Sequence, residues 1–538
     1  MERASGIMDT STPQPTSAQK PSTDRTALLP DGQGIPMMPL TKIIATIGPA
    51  SSDPEVIRKL IEGGVAIFRL NFSHGSLDDH VDRVRTIRQI AKELHRCTAI
   101  LGDLQGPKIR VGTVPNDGLD VPTGARVRFV RSPVVASPPT PGVVPQVYTF
   151  SSTYEALIED VEPGQRLLVN DGAVRMLVVE KSADCIDCTV THGGLITSGK
   201  GVNLPESKLT IGSLTDRDWE CVEWAVRHDL DFLALSFVRS AEDVRTLVEG
   251  LAEIKHRAGV PNMRMPIVAK IELPSAVENI DGIFEATDAI MIARGDLGVE
   301  MDLARVPVIQ RRLQAASDLW GKPCIVATQM LETMISSPSP TRAEASDVAG
   351  AIFDRADAVM LSGETAVGRY PVVAVEHMRR IAEYTELELA RQPQTTSAPQ
   401  KLIETRYRTA ALAHGAWTIA QDMDAKFIIV WSQQGGGARY LSQNNFHIPI
   451  IAATTDERAA RRMQLLRGVT PILMPRPENL AQFTTMADAF LLKAAWAKPG
   501  DVCVLVAGEP IGVEGITNSL AIHSVGSPDT GFAKHGTA

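Results

Sequence analysis

Residues 232–272 read FLALSFVRSAEDVRTLVEGLAEIKHRAGVPNMRMPIVAKIE, and this stretch decides the fold class. Two apolar runs, FLALSFV (232–238) and PIVAKIE (266–272), enclose the amphipathic segment SAEDVRTLVEGLAEIKHRAG (240–259). The segment has the apolar spacing of a helix, whereas the flanking runs are almost continuously apolar, as strands buried on both faces of a parallel sheet are. The stretch therefore predicts a strand–helix–strand unit with parallel strands.

The same alternation extends along the chain in both directions. Further apolar runs of this kind are KIIATIG (42–48), VAIFRLNF (65–72), TAILGDL (98–104), AIMIARGD (289–296), CIVATQM (324–330) and AVMLSGE (358–364). Amphipathic stretches such as 53–64, 78–95 and 306–321 lie between them. Eight strands, each followed by a helix, predict an α/β protein with a (β/α)8 TIM barrel over residues 41–110 and 205–392.

Residues 111–204 interrupt this pattern after the third strand. They are rich in Val, Pro, Thr and Gly and alternate in polarity, as in RLLVNDGAVRMLVVE (166–180). We expect an inserted β-barrel lid domain on the barrel face where active sites form. Cys185 and Cys188 lie in it; without a second ligand pair they are weak evidence for zinc, and we interpret them as strand residues.

The two ends of the chain differ from the barrel region. Residues 1–40 are rich in proline and polar residues, which predicts a disordered extension. Residues 393–526 again alternate apolar strands with helices and predict a separate C-terminal α/β domain with an open sheet. Residues 527–538 are expected to form a loose tail.

Composition excludes several classes of protein. Of 538 residues, 44% are hydrophobic and 22% charged, which is ordinary for a globular chain. A formal net charge of −9 argues against nucleic-acid binding, and no apolar run is long enough to predict a membrane span. Six cysteines are too few for a disulfide scaffold, so we expect a cytoplasmic protein.

Polar residues follow the predicted barrel strands, at the end where barrels build active sites. Arg69, Asn71 and Ser73 point the same way because side chains alternate along a strand. Such a group suits the binding of anions and cations better than the filling of a barrel. Lys270 and Glu272 form a second pair of this kind at the end of strand five.

Glu272 and Asp296 end adjacent strands beside Lys270. Two carboxylates with room for waters and substrate oxygens suit Mg²⁺ or Mn²⁺; the alternative is a structural network in which both pair with Lys or Arg. Together with Arg69, Lys270 and such an ion would surround a small anion with positive charge, as phosphoryl transfer requires. The backbone N–H groups after Ala293 can bind a carboxylate.

Eight motifs together resemble the pyruvate kinase family. In chain order they are TKIIATIGPAS, RLNFSHG, GDLQGPKIR, GKGVNLP, AKIE, ARGDLGVE, ATQMLETM and DAVMLSGETAVGRYP. The resemblance covers nearly everything after residue 40, including the inserted and C-terminal domains. It implies transfer of a phosphoryl group from phosphoenolpyruvate to ADP, giving pyruvate and ATP, in an enzyme that is commonly a homotetramer.

The resemblance also implies a role for each matching residue. Lys270 would stabilise the transferring phosphoryl group, Arg69 would clamp the phosphate, and Glu272 and Asp296 would hold the divalent ion. The remaining positions are Gly295, Asp296 and Thr328 for the substrate carboxylate, Asn71, His74, Arg110 and Lys200 for the nucleotide, and Asn71, Ser73 and Asp103 for potassium. The final proton donor is left open, with Thr328 and a water as our interpretation.

The sequence departs from the family pattern in two places. Leu104, Gln105 and Lys108 stand where potassium-requiring members carry Thr, Lys and Glu, so we expect an enzyme that does not require K⁺. The possible effector loop of the last domain, which contains Ser432, Gly435, Gly436 and Gly437, offers one hydroxyl and three glycines. Its backbone amides could bind a phosphate, but a plain loop is the preferred interpretation.

Two other classes of function remain as alternatives. Another Mg²⁺-dependent barrel acting on a pyruvate enolate, such as an aldolase or a dikinase fragment, also places Glu and Asp on strand ends. It would lack a β lid after strand three and the GKGVNLP return. A non-catalytic, metabolite-sensing barrel would be indicated by loss of Lys270, Glu272 or Asp296, and all three are present.

Overall fold

The computed structural model describes residues 26–28, 34–36, 38–142, 144–207, 209–392, 399–404, 407–444, 447–513 and 515–527. Within these residues the chain forms a closed barrel of eight parallel strands, an inserted β domain and a C-terminal five-stranded sheet with helices. The fold class expected from the alternation of apolar runs is therefore confirmed.

The amino-terminal extension contains one short strand pair. Strands β1 (Thr26–Leu28) and β2 (Gly34–Pro36) pair antiparallel, although we predicted no strand before residue 41. Composition does not reveal this pairing, whereas the sequence Pro30-Asp31-Gly32 between two short apolar runs is typical of a turn. The other residues before Met38, and the predicted tail from residue 528 onward, lie outside the described residues.

The barrel begins with three strands and two helices. They are β3 (Lys42–Thr46), α1 (Pro54–Glu62), β4 (Val65–Asn71), α2 (Leu77–Glu93) and β5 (Ala99–Asp103). Both helices start at side-chain caps, because Asp53 accepts the N–H groups of Glu55 and Val56, and Ser76 accepts that of Asp79. Such caps satisfy backbone donors that the first helical turn leaves free.

The inserted domain follows β5. Its elements are β6 (Leu119–Val121), β7 (Arg126–Val130), β8 (Val147–Ser151), α3 (Leu157–Asp160), β9 (Arg166–Val169), β10 (Val174–Lys181), β11 (Cys185–His192), β12 (Gly194–Ile196) and β13 (Val202–Asn203). Six strands form one sheet in the order β13-β9-β10-β11-β7-β8, and β12 pairs with β6.

Two isolated bridges bring the edges of the six-stranded sheet round a common core. Arg110 pairs with Gly201 beside β13, and Val111 pairs with Ser152 beside β8. Cys185 and Cys188 both lie on β11. In the part of the chain that the structure describes, no group of three or more His, Cys, Asp or Glu residues is arranged to hold a metal, and the two cysteines are strand residues.

The chain then returns to complete the barrel. The strands are β14 (Phe232–Leu235), β15 (Ile267–Ile271), β16 (Ala289–Ala293), β17 (Cys324–Ala327) and β18 (Ala358–Leu361). The helices are α4 (Asp216–Arg227), α5 (Ala241–Arg257), α6 (Pro274–Glu278), α7 (Ile280–Ala286), α8 (Arg294–Glu300), α9 (Val306–Trp320), α10 (Arg342–Phe353), α11 (Gly363–Ala366) and α12 (Pro371–Arg391). Pairing of β14 with β5 and of β18 with β3 closes the barrel.

In its described residues, the C-terminal domain has five α-helices and a sheet in the order β21-β20-β19-β22-β23, in which β23 runs antiparallel to the other strands. Its elements are α13 (Gln400–Glu404), α14 (Arg408–Asp422), β19 (Phe427–Trp431), α15 (Gly436–Ser442), β20 (Ile450–Thr454), α16 (Glu457–Arg462), β21 (Val469–Leu473), α17 (Leu480–Lys493), β22 (Val502–Ala507) and β23 (Ser519–Ser524).

This domain is joined to the amino-terminal end of the barrel by ion pairs. Arg461 of α16 donates from Nε to Asp231 and from Nη2 to Asp229, both at 2.7 Å. Asp231 also accepts the backbone N–H of Ile100 and the Arg88 side chain, each at 2.7 Å. Arg461 and Asp231 are largely buried, and a buried charge is strongly destabilising when its partner is lost, so this pair holds the two domains at a defined place. In the described part of the chain, no helix combines the length and apolarity that crossing a membrane requires.

Candidate active site

The site is built at the carboxyl ends of the barrel strands, around the buried carboxylate of Asp103. The register of β4 against β5 places Asn71 beside Asp103, so Arg69 lies within reach of the carboxylate. Arg69 Nε donates to Asp103 Oδ2 at 2.6 Å, and Lys270 Nζ lies 3.2 Å from Oδ1. Burial would raise the pKa of Asp103, but Lys270 and Arg69 outweigh it and hold that pKa below its ordinary value.

Lys270 connects three neighbouring strand ends. Its Nζ lies 2.7 Å from Glu272 Oε1 and donates to Ser236 Oγ at 2.7 Å; Ser236 in turn donates to the Leu104 carbonyl at 2.7 Å. Burial alone would lower the pKa of Lys270, but the carboxylates of Asp103 and Glu272 reverse the effect and raise it. The ammonium therefore stays charged at neutral pH in a fixed position.

Glu272 is buried with both oxygens engaged. Oε1 pairs with Lys270, and Oε2 accepts the backbone N–H of Phe237 at 2.9 Å. Burial raises the pKa of the Glu272 carboxyl and Asp296 adds to the rise, while Lys270 opposes it. A further positive charge beside Glu272 and Asp296 would relieve this repulsion.

The balance of charge around Lys270 favours a cation. Arg69 and Lys270 carry two positive charges against three carboxylates, those of Asp103, Glu272 and Asp296. Asp296 is exposed toward the cleft under the inserted domain, and no cation pairs with it among the described residues. Two carboxylate ligands from the protein leave most of an octahedral shell to substrate oxygens and waters, which suits Mg²⁺ or Mn²⁺.

Thr328 and Gly295 meet beside this charged group. The Gly295 N–H donates to Thr328 Oγ at 2.7 Å, and Thr328 Oγ donates to the Ala327 carbonyl at 2.6 Å. A Cβ at Gly295 would lie only 3.3 Å from Thr328 Oγ, so the absence of a side chain there permits the close approach. The start of α8 is therefore joined to the end of β17 by a hydrogen bond, next to Asp296, which lines the cleft.

The residues predicted for the nucleotide fall into two groups. Asn71 and His74 lie at the end of β4, where Asn71 Oδ1 accepts the Ser73 N–H at 3.1 Å. Arg110 and Lys200 lie where the chain enters and leaves the inserted domain, and Arg110 Nη1 donates to the Gly199 carbonyl at 3.0 Å. His74 and Lys200 are exposed.

The cleft between the barrel and the inserted domain is lined by Lys108, Asp171, Asn203, Asp296 and Glu300, among others. Asn203 Nδ2 donates to Glu300 Oε1 at 2.8 Å and links the return strand of the inserted domain to α8. Burial raises the pKa of Glu300 to about 7, although the Asn203 hydrogen bond opposes the rise.

Residues that were not predicted from the sequence hold the predicted ones in place. Ser236 supports Lys270, and Thr46 Oγ1 accepts from Arg69 Nη1 at 3.1 Å while donating to the Leu361 carbonyl at 2.9 Å. Thr46 and Ser236 end or follow strands one and four of the barrel, whose ends were not considered. Their position is a signal that could have found them.

The possible effector loop lies in the C-terminal domain, at the start of the short helix α15. Gly435 adopts a φ of 85°, which favours glycine. The Ser432 hydroxyl is buried and accepts the Ala438 N–H at 3.2 Å. The one hydroxyl of residues 432–438 thus accepts a hydrogen bond from within the loop, and the preferred interpretation as a plain loop stays a prediction.

Comparisons with known proteins agree with this architecture. A family model described as pyruvate kinase, barrel domain, matches residues 38–375, and one described as pyruvate kinase, alpha/beta domain, matches residues 410–523. The chain belongs to the pyruvate kinase family. Members of this family transfer the phosphoryl group of phosphoenolpyruvate to ADP, and the chain is accordingly a phosphotransferase.

Individual pyruvate kinases are similar over almost their whole length. One from Agrobacterium vitis is 41% identical over 90% of this chain and 98% of its own chain. One from Mycobacterium tuberculosis is 37% identical over 91% of this chain and 99% of its own chain. A crystal structure of a pyruvate kinase from Cryptosporidium parvum, 31% identical, superposes with a TM-score of 0.80 over 91% of this chain and 96% of that one.

The position of Glu272 leads to a test of the divalent site. Glu272→Gln is nearly isosteric but removes one anionic ligand, so we expect turnover to fall at least ~100-fold through lost stabilisation of the transition state. Saturating Mg²⁺ should restore part of the activity, measured as pyruvate formation across a Mg²⁺ titration. The exposed Glu180→Gln is the matched control, and wild-type turnover of Glu272→Gln at ordinary Mg²⁺ would contradict the assignment.

Proposed function

We propose that the cleft between the barrel and the inserted domain binds phosphoenolpyruvate and ADP, and that Lys270 stabilises the phosphoryl group during its transfer. The observation that carries this proposal is the buried ammonium of Lys270, held charged between Asp103 and Glu272 at the carboxyl ends of the strands. A fixed cation in a water-poor site stabilises developing negative charge without reorganisation. Arg69, fixed by Asp103 and Thr46, would clamp the phosphate from the other side.

The divalent ion of this proposal is Mg²⁺ or Mn²⁺, held by Glu272 and Asp296. When bound, it would supply positive charge that stabilises negative charge on the substrate oxygens. The excess negative charge of the three carboxylates over Arg69 and Lys270 supports its place here. Glu272 is positioned for this role by the Phe237 N–H, which leaves a lone pair of each carboxylate oxygen available.

The substrate carboxylate is assigned to the start of α8. The Asp296 N–H and the Thr328 hydroxyl would bind that carboxylate, and the Gly295 N–H, which donates to the Thr328 hydroxyl, would hold this hydroxyl in place. Thr328 would then lie near the enolate carbon that receives the final proton, with a water as the source of that proton. Asn71, His74, Arg110 and Lys200 are proposed for the nucleotide, because they line the approach from the end of β4 and from the inserted domain.

Replacement of Lys270 tests the central proposal. Lys270→Met keeps the volume of the apolar stem but removes the ammonium, and a preorganised cation contributes ~3–5 kcal/mol to the transition state. We expect phosphoryl transfer to fall by several orders of magnitude in a coupled pyruvate assay. Mg²⁺-dependent exchange of the methyl protons of pyruvate needs only enolisation and should fall less. The control is Lys92→Met, at an exposed position of α2. Unchanged turnover of Lys270→Met would show that Lys270 is only a structural cation.

The enzyme is further proposed to work without K⁺. The family's potassium positions are Asn71, Ser73 and Asp103, and both oxygens of Asp103 already face the cations Arg69 and Lys270. Lys108 lines the cleft beneath the inserted domain. Its Cε lies 3.3 Å from the point that a Cβ would occupy if Gly201 carried a side chain. An ammonium there is a compact point charge that can replace a bound monovalent cation.

Turnover in tetramethylammonium buffer with saturating Mg²⁺ tests this independence. Adding KCl at matched ionic strength should change the rate by less than tenfold, which corresponds to roughly 1.4 kcal/mol of transition-state stabilisation. Lys108→Glu should create a requirement for K⁺, whereas Lys92→Glu, with the same change of charge on α2, should not. A tenfold activation of the parent enzyme by K⁺ is the contrary result.

A homotetrameric, cytoplasmic enzyme is the last part of the proposal. Leu303 and Val308, just before and within α9, are 68% and 63% exposed, and association with a second copy would remove such apolar side chains from water. Light scattering of the purified chain should give four times the monomer mass. Val308→Glu should shift that mass downward, and a monomeric parent protein would contradict the proposal.

A further inference from the structure

The turn that carries Thr328 has an unfavourable backbone. Thr328 and Gln329 adopt φ values of 66° and 54°, so two consecutive residues with side chains lie in the left-handed region. A β-branched residue there is a steric outlier, because its side chain crowds the neighbouring peptide groups. Such a conformation persists only where surrounding contacts hold it.

One buried side chain supplies these contacts. Arg294, whose side chain is 8% exposed, donates to the Thr328 carbonyl from Nε at 3.2 Å and from Nη2 at 2.7 Å. Nη2 also donates to the Gln329 carbonyl at 3.1 Å. Arg294 Nη1 donates to Asp347 Oδ2 at 2.6 Å, on the side of the guanidinium away from the turn.

The guanidinium is suited to this arrangement for a geometric reason. Its planar fork can reach two successive carbonyls at once, which a lysine ammonium on a flexible stem cannot do with the same geometry. The residue after Arg294 is Gly295, whose N–H donates to the Thr328 hydroxyl. The start of α8 therefore holds Thr328 by its hydroxyl and by its carbonyl.

We propose that Arg294 is a positioning residue, which holds the turn at residues 328–329 in its left-handed conformation and thereby places the Thr328 hydroxyl against the substrate. This inference rests on the proposed role of Thr328 at the enolate. Asp347 has a supporting part, because it neutralises and orients the guanidinium without touching the turn.

The test uses a glycine to remove the need for support. Arg294→Lys keeps the charge but loses the fork, and we expect Mg²⁺-dependent exchange of the methyl protons of pyruvate to fall about 100-fold, as a displacement of about 1 Å can cause. Glycine adopts the left-handed conformation without steric cost. In the parent enzyme, Gln329→Gly should change the exchange rate by less than about twofold. In the Arg294→Lys enzyme, the same substitution should raise the exchange rate about tenfold.

A matched glycine substitution separates positioning from general stabilisation. Asp424 is exposed, follows α14 and has a φ of 47°, so Asp424→Gly relieves a similar backbone elsewhere. It should not restore exchange in Arg294→Lys. Equal recovery from both glycines, or an Arg294→Lys enzyme within twofold of the parent, would overturn the inference.

Two further variants keep the result interpretable. If Arg294→Lys does not fold, Asp347→Asn takes its place, because it loosens the guanidinium. This variant should lower exchange about fivefold, and Gln329→Gly should restore the exchange rate. An Asp347→Asn enzyme without this loss, or a loss that Gln329→Gly does not restore, overturns the inference. Thr328→Val removes the hydroxyl but keeps the branched shape. If Thr328→Val exchanges protons at the parental rate, the role of Thr328 is contradicted. If Thr328→Val loses exchange but Arg294→Lys keeps the parental rate, only the role of Arg294 is contradicted.

Discussion

A buried ammonium between two carboxylates organises the functional end of this barrel. Lys270 faces Asp103 from β5 and Glu272 just beyond β15, and through Ser236 it reaches the Leu104 carbonyl. None of these charges would be stable out of water alone, because an unpaired buried charge carries a large desolvation cost. Their pairing fixes the relative position of three strand ends, and the same fixed charges are what a transferring phosphoryl group requires.

The site remains only partly neutralised, and this has a functional consequence. Asp296 adds a third carboxylate at the exposed rim, which favours a divalent ion there over a purely structural ion network. Glu272 is oriented by the Phe237 N–H and Arg69 by Thr46, so the groups that we propose to contact substrate are held by neighbours outside the proposed reaction. A site whose geometry is set in advance loses little energy to reorganisation.

The two ends of β14 connect this site with the C-terminal domain. Asp231 precedes the strand and pairs with Arg461 of α16, while Ser236 follows it and supports Lys270. A four-residue strand thus separates the domain interface from the charged group. The turn at Thr328 depends on Arg294 in a comparable way, since a sterically unfavourable backbone persists only under tertiary support.

The sequence by itself determined the strand–helix alternation, the place of the insertion and the polar residues at the ends of six barrel strands, because periodicity and strand ends are local features. It indicated Lys270, Glu272, Asp296 and Arg69 before any contact was known. Only the tertiary structure decided that Ser236 supports Lys270, that Thr46 supports Arg69, and that Arg294 supports Thr328. These partners lie 23 to 34 residues from the groups that they hold, and barrel closure and the resulting register, which no local pattern encodes, bring them together.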